Sequence, residues 1–219
     1  MQKEINLLSK YPKSKRDLNE RIESKSESIR KIARQFGKEF FDGDRNYGYG
    51  GFSYNSKYWR DVVTDFSDYY NLQNGSKILD VGCAKGFMLH DLKKLNRNFD
   101  ICGLDISEYA IQNSIKEIKE FLTIGDAKSL PFPDNHFDLV ISINTVHNLD
   151  KEECAMALKE IQRVTKKDSY ITVDAYRDDK EKKRMYAWNL TAKTIMSVDE
   201  WKIFFDDINF KGDYYWFIP

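Results

Sequence analysis

The chain is predicted to fold as an α/β domain. A mainly parallel, doubly wound sheet of six or seven strands is expected, with helices on both faces and a helical extension ahead of it. Three observations carry this. Strand-like apolar runs fall at 77–81, 100–105, 121–125, 137–143 and 170–174. Helical patterns sit between them, at about 86–95, 107–119 and 151–164. The first run also breaks abruptly into a glycine-bounded turn, "GCAKG", at 82–86. Strands alternating with helices of this length imply a parallel sheet covered on both sides. Right-handed crossovers then place every β→α turn on one edge, where ligands bind. Functional residues are therefore sought after the strands' carboxyl ends.

The remaining elements follow in chain order. Residues 1–41 are dense in Lys, Arg, Glu and Ser, while Leu18, Ile22, Ile29, Ile32, Ala33 and Phe36 recur near helical spacing. One or two amphipathic helices with a solvated charged face are expected, with Gly37 as a stop or break. The stretch "DGDRNYGYGGFSYNSKYW", 42–59, has no clean period and reads as an ordered loop leading into a helix over about 59–70. This divides the chain into an extension and lid, 1–58, and a globular domain, 59–219. In the lid, Gly48, Gly50 and Gly51 offer hinge freedom, and Tyr47, Tyr49, Phe52 and Tyr54 can exclude water once it closes.

Composition narrows the function classes. At 219 residues the chain suits one well-buried domain, and 41% hydrophobic with 32% charged residues is ordinary for a soluble protein. Its 35 basic and 35 acidic side chains give a formal net charge of zero, which speaks against nucleic acid as a partner. The opening "MQKEINLLSK" has no long apolar core, so no signal peptide or membrane span is expected, and the cytoplasm is the expected location. Cys83, Cys102 and Cys154 are widely spaced, and only His90, His136 and His147 supply imidazoles. No metal site is expected, and free thiols suit a reducing compartment.

The glycine turn asks which ligand needs bare backbone. Gly82 and Gly86 let amide groups approach a ligand with no Cβ in the way. A dinucleotide fingerprint, G-x-G-x-x-G, would fall on Gly82, Ala84 and Phe87, so a nicotinamide reading weakens. Asp80 just before a G-x-x-x-G turn better suits a ligand with an amino-acid end. "ICGLDIS" ends the next strand with Asp105, whose carboxylate can accept both hydroxyls of a ribose, and Ile106 offers an apolar face to a purine. In "IGDAKSLPFPDNHFDLVIS", Asp126 can accept from an exocyclic amine. These three together describe an adenosine. Taken singly, Asp80 also suits a cap of the turn, and Asp105 a cap of the helix beginning near Ser107.

The set "ILDVGCAKG", "GLDIS" and "GDAKSLPFPDNHFDLVISINTVHNL" with the following helix, about 76–175, resembles the class I S-adenosylmethionine-dependent methyltransferases, in particular the small-molecule type. The resemblance implies a Rossmann-like fold and S-adenosyl-L-methionine as cofactor. It implies that Asp80, Gly82 and the turn through Cys83, Ala84 and Gly86 hold the methionine end. Asp105 with Ile106 would take the ribose and purine side, Asp126 with Ala127 would border the adenine, and Asn144 would complete the cofactor set. Two departures stand out. Ala84 occupies a position where the family commonly has glycine. The family sheet also has seven strands, the last antiparallel, but after the "SVDEWKIFFDDI" helix only "DYYWFIP" remains. The sheet is then six-stranded, or a second copy in a homodimer completes its edge.

On the acceptor side the assignments rest on location alone. His147, in "NTVHNL", follows the fourth strand and is the candidate general base. Tyr49 and Tyr47 would orient a small-molecule acceptor, and Arg45 would pair with an acidic group on it. The alternatives are an RNA or protein methyltransferase and a catalytically silent cofactor-binding subunit.

Overall fold

The computed structural model describes residues 2–12, 26–50, 53–95 and 98–219. Its seven strands are β1 (Lys77–Val81), β2 (Asp100–Asp105), β3 (Leu122–Ile124), β4 (Phe137–Ile143), β5 (Thr165–Tyr176), β6 (Met196–Ser197) and β7 (Asp213–Phe217). They run in the order β3-β2-β1-β4-β5-β6, with β7 also on β5, and every pairing is parallel. The order reverses between β1 and β4, the position at which an open α/β sheet forms a ligand crevice.

Alternation along the strands explains the two layers of helix. Leu79, Val81 and Val140 face one core, and Ile78, Leu139 and Ile141 face the other. The first core closes against α6 (Lys151–Val164) and α8 (Val198–Asp207) through Leu158, Ile161, Trp201 and Phe205. The second closes against α3 (Arg60–Tyr69) and α4 (Phe87–Lys93) through Val62, Phe66, Leu89 and Leu92. Both helix sets are amphipathic, so burial of one apolar stripe stabilises each. α8 also starts on a full capping box, with Ser197 and Glu200 exchanging side chain-to-backbone bonds.

The helix expected over 107–119 is divided. α5 (Glu108–Gln112), capped by Ser107, stops at Asn113, and a 3₁₀ turn follows at Lys116–Phe121. Its cause lies across the glycine turn: the Ile115 amide donates to the Lys85 carbonyl at 3.3 Å, pulling the chain inward, and Ile118 is wholly buried.

The carboxyl-terminal expectation is corrected more sharply. The sheet does have a seventh strand, and it is parallel. β7 pairs with β5 along 170–174, while β6 takes the next two residues of the same edge, Ala175 and Tyr176. At its start the outer side of β7 meets this chain's own amino-terminal segment in one parallel bridge: the Ile5 amide donates to the Tyr214 carbonyl, and the Tyr214 amide donates to the Lys3 carbonyl, each at 3.0 Å.

In the amino-terminal part, α1 (Glu27–Ala33) begins on the Ser26 cap and α2 (Lys38–Asp42) begins at Gly37, so Gly37 opens a helix rather than stopping one. Phe36, at φ 48°, makes the break between them. The predicted Leu18, Ile22, Gly51 and Phe52 lie outside the described residues. α7 (Asp179–Trp188) lies between β5 and β6. Among the described residues no helix is long and apolar enough to cross a membrane.

Candidate functional site

The turn after β1 is built by three left-handed residues. Gly82 has φ 86°, and a Cβ there would lie 2.1 Å from Thr145 Oγ1, so the close approach of the β4 end requires glycine. Gly86, at φ 76°, would drive a Cβ to 2.3 Å from Ile118 Cδ1. Ala84, at φ 50°, shares the conformation without being glycine. Its amide donates to Asp105 Oδ2 at 2.7 Å, and this bond holds the turn in place. A left-handed L-residue costs roughly 1–2 kcal/mol, and glycine loses about 0.5–1 kcal/mol of that gain to chain entropy. Ala84→Gly is therefore expected to raise unfolding stability by about 0.5–1 kcal/mol in denaturant titration. A loss of stability would show instead that the methyl group packs usefully. Cys83 turns its side chain into the core beside Leu89, and burial pushes its thiol well above the ordinary range.

Two carboxylates flank this turn with different partners. Asp80 is 6% exposed and accepts no hydrogen bond among the described residues. Burial first, and then the charge of Asp105, raises its carboxyl to about 7. Asp105 is satisfied: Oδ1 accepts from the Ser107 amide at 2.8 Å and Oδ2 from Ala84. Burial still pushes its carboxyl up against the lowering effect of those two bonds. Ser107, not Asp105, caps α5, with the Ala110 amide 3.0 Å from its hydroxyl. Ile106 is 57% exposed on the rim beside Asp105. Asp126 lies two residues past β3 and bonds the Lys128 amide at 2.9 Å, with Ala127 half-buried next to it. Asn144, at φ 52°, accepts the Thr172 hydroxyl at 2.9 Å and stands exposed at the end of β4.

A roof crosses this edge. The Ser107 hydroxyl donates to the Phe36 carbonyl. Asp42 pairs with Lys85 inside the glycine turn and accepts from the Tyr109 hydroxyl at 2.8 Å. Tyr49 stacks on Trp188, and its oxygen accepts the Leu190 amide at 2.8 Å and the Thr191 amide at 3.3 Å. Burial of that hydroxyl pushes its pKa up to about 12. Tyr49 is thus a bolt of the roof, where an orienter of the acceptor was expected. Tyr54 anchors the far side by donating to Asp91. Arg45 is exposed and Tyr47 half-buried, both near the turn in which the Tyr47 amide donates to Asp44.

His147 is also recast. Its Nδ1 accepts the Asp174 amide at 3.1 Å, and Nε2 lies 3.6 Å from the Asp174 carboxylate. The ring is 3% exposed, and burial holds its pKa below the usual histidine value against the pull of Asp174. Both nitrogens face protein, which suits a neutral brace between β4 and β5 better than a base. Residues not foreseen in the sequence are Lys85, Thr145, Thr172, Asp174 and Trp188. Of these, only Asp174, at the end of a strand run, carried the same signal as Asp80 and Asp105.

The edge fits a ligand with an ammonium group, a ribose and a purine. Asp80 is a buried carboxylate in want of a cation, and Asp105 keeps lone pairs beyond its two amides. Comparison with known proteins agrees. The methyltransferase-domain family matches residues 72–212. A rat (Rattus norvegicus) protein named mitochondrial arginine-hydroxylase NDUFAF5 is 37% identical over 91 residues, 41% of this chain and 26% of its own length. The cycloartenol-C-24-methyltransferase of Arabidopsis thaliana is 36% identical over 104 residues, 43% of this chain and 30% of its own. This chain thus spans about a third or less of these relatives. The crystal structure of the YcgJ protein from Bacillus subtilis superposes with a TM-score of 0.55 at 18% identity, covering 67% of this chain and 66% of that one, a likeness of fold. The matched span holds β1 to α8 with every residue that the resemblance assigns to the cofactor, and the chain belongs to the class I S-adenosylmethionine-dependent methyltransferase family.

Proposed function

We propose that this protein transfers a methyl group from S-adenosylmethionine to an oxygen, nitrogen or sulfur atom of a small-molecule acceptor. The observation that carries the reading is the roof. Residues 36–49 bind Ser107, Lys85 and the 190–191 backbone, so the chain's own segment covers the edge that a macromolecular acceptor would have to reach. When bound, the cofactor supplies an electrophilic methyl group on a sulfonium with a neutral leaving group. The protein's part is then alignment and exclusion of water. Asp80 would take the ammonium group, Asp105 the ribose hydroxyls, Ile106 and Asp126 with Ala127 the adenine, and the Gly82–Gly86 turn the methionine carboxylate. Tyr49 and Trp188 would hold the roof, with Tyr47 and Arg45 on its acceptor-facing turn. Three cysteines that form no disulfide support a reducing, cytoplasmic setting.

The test is to incubate the protein with methyl-labelled cofactor and separated small-molecule, RNA and protein fractions of a cell extract. Label is expected in the small-molecule fraction. Label confined to RNA or protein would reject the reading.

His147 enters this proposal as a positioning residue. The neutral ring is the favoured form, so its contribution is present above the ordinary histidine value, about 6.5, and is lost as pH falls below that. His147→Asn is expected to cost about 1–3 kcal/mol of stability through the unpaired Asp174 amide and to leave the acid limb of the kcat/KM pH profile in place. Disappearance of that limb would make His147 the base after all.

A further inference from the structure

Outside the cofactor edge, a cavity of about 410 Å³ lies between α1, the end of α7 and the loop at 189–195. Its volume falls within the range of small-molecule sites, roughly 300–1,000 Å³. Arg30, Arg34 and Lys193 bring three cations to its walls, against the single carboxylate of Glu27. Tyr186 and Ile195 supply apolar surface.

The ion pairing is incomplete in a way that favours an anion. Glu27 lies 3.1 Å from Arg34 and 3.7 Å from Arg30, while its own side chain is 75% exposed. One solvated carboxylate is shared between two guanidinium groups, and among the described residues buried Arg30 Nε has no hydrogen-bond partner. Lys193 pairs at 3.0 Å with Asp150, which is itself 61% exposed, so that pair is weak and readily exchanged. Buried donors without acceptors are rare in folded proteins, and an orphan guanidinium donor is a place where a ligand oxygen belongs.

The loop that lines the cavity at Asn189, Ala192, Lys193 and Ile195 also braces the roofed edge. Leu190 and Thr191 donate to Tyr49, Arg34 Nε donates to the Thr191 carbonyl at 3.4 Å, and the amides of Lys193 and Thr194 donate to the His147 carbonyl. The same loop therefore borders the cavity and closes over the carboxyl end of β4. We propose that this cavity is an anion subsite that holds a carboxylate of the acceptor, so that the acceptor is a small organic acid. The planar fork of the guanidinium matches a planar carboxylate through paired donors. This assignment rests on the small-molecule reading above and moves the acid-binding role from Arg45 to Arg30 and Arg34.

The experiment reads binding without turnover, on the full chain saturated with S-adenosylhomocysteine. Hydroxybenzoates and the matched hydroxybenzamides serve as probes in calorimetry. The acids are expected to bind at least tenfold more tightly than the amides. Arg30→Gln and Arg34→Gln should each reduce that preference to under threefold while leaving S-adenosylhomocysteine affinity unchanged. Glu27→Gln, which frees both guanidinium groups, should tighten acid binding two- to fivefold, and it keeps the test decisive if an arginine variant fails to fold. Equal or absent binding of acids and amides, or a preference unmoved by all three substitutions, would overturn the subsite. S-adenosylhomocysteine affinity is measured in the same titrations, so loss of the cofactor reading is seen separately.

Discussion

Asp80→Asn is expected to make the ligand-free protein more stable and to weaken its hold on S-adenosylmethionine. Both effects come from one carboxylate, buried, without a hydrogen bond among the described residues and close enough to Asp105 to feel its charge. Its folded value of about 7 lies above the ordinary carboxyl value of 3.8. The folded state thus holds a proton that the unfolded chain has released. The cost to stability is absent below about pH 4, grows as pH rises through that interval and is complete above about 7. Each unit is worth about 1.4 kcal/mol, and with water entering the empty edge we expect a gain of about 1–3 kcal/mol for the amide variant at pH 8. Cofactor binding should fall by roughly 10- to 150-fold, the equivalent of a lost charge-assisted hydrogen bond. Paired denaturant titrations of wild type and variant across pH 4–8 check the first effect, and calorimetry checks the second. Equal stability of the two proteins at every pH would mean that Asp80 is solvated rather than strained.

Asp105→Ala is expected to lose on both counts. Its two oxygens bind the Ala84 and Ser107 amides, so alanine leaves two donors without a partner at the turn and at the start of α5. That should cost about 2–6 kcal/mol of stability, at roughly 1–3 kcal/mol per orphaned buried donor. Cofactor affinity should fall by a further roughly 1.5–3 kcal/mol with the ribose contacts. Asp105→Asn keeps one acceptor oxygen and should fall between the two. Unchanged S-adenosylhomocysteine affinity, measured calorimetrically on folded Asp105→Ala, would remove Asp105 from the site while leaving it the brace of the turn. The opposite signs expected for Asp80 and Asp105 in stability separate a carboxylate held for a ligand from one held by the fold.

The parts of this molecule that could be read in advance are those whose cause is local. The α6 helix was legible from its apolar spacing, and its bounds match the expected 151–164. Asp80 and Asp105 stood out as candidates because each interrupts or ends an apolar run next to a turn. The alanine in place of glycine at 84 was visible as a departure, but its φ of 50° was not. What escaped has its cause far away in the chain. Tyr49 meets Leu190 across 141 positions, Lys85 meets Asp42 across 43, and Lys3 reaches Asp213 across 210. Such pairings leave no period in the sequence, and they tie Tyr49 into the roof and the amino-terminal segment to the start of β7. His147 lies at the strand end where it was sought, but its partner, the Asp174 amide, is a backbone group that no side-chain pattern reveals.

The central claim is that the carboxyl ends of β1 and β2 hold S-adenosylmethionine beneath the roof, and a crystal structure of the complex with S-adenosylhomocysteine tests it most directly. The ligand's ammonium nitrogen should lie within hydrogen-bonding distance of the Asp80 carboxylate, at roughly 3 Å, with the ribose hydroxyls at Asp105 in the same range. Tyr49 should remain bonded to the Leu190 amide above it. A ligand seated elsewhere, or one at this edge whose ribose and ammonium group touch neither carboxylate, would contradict the account.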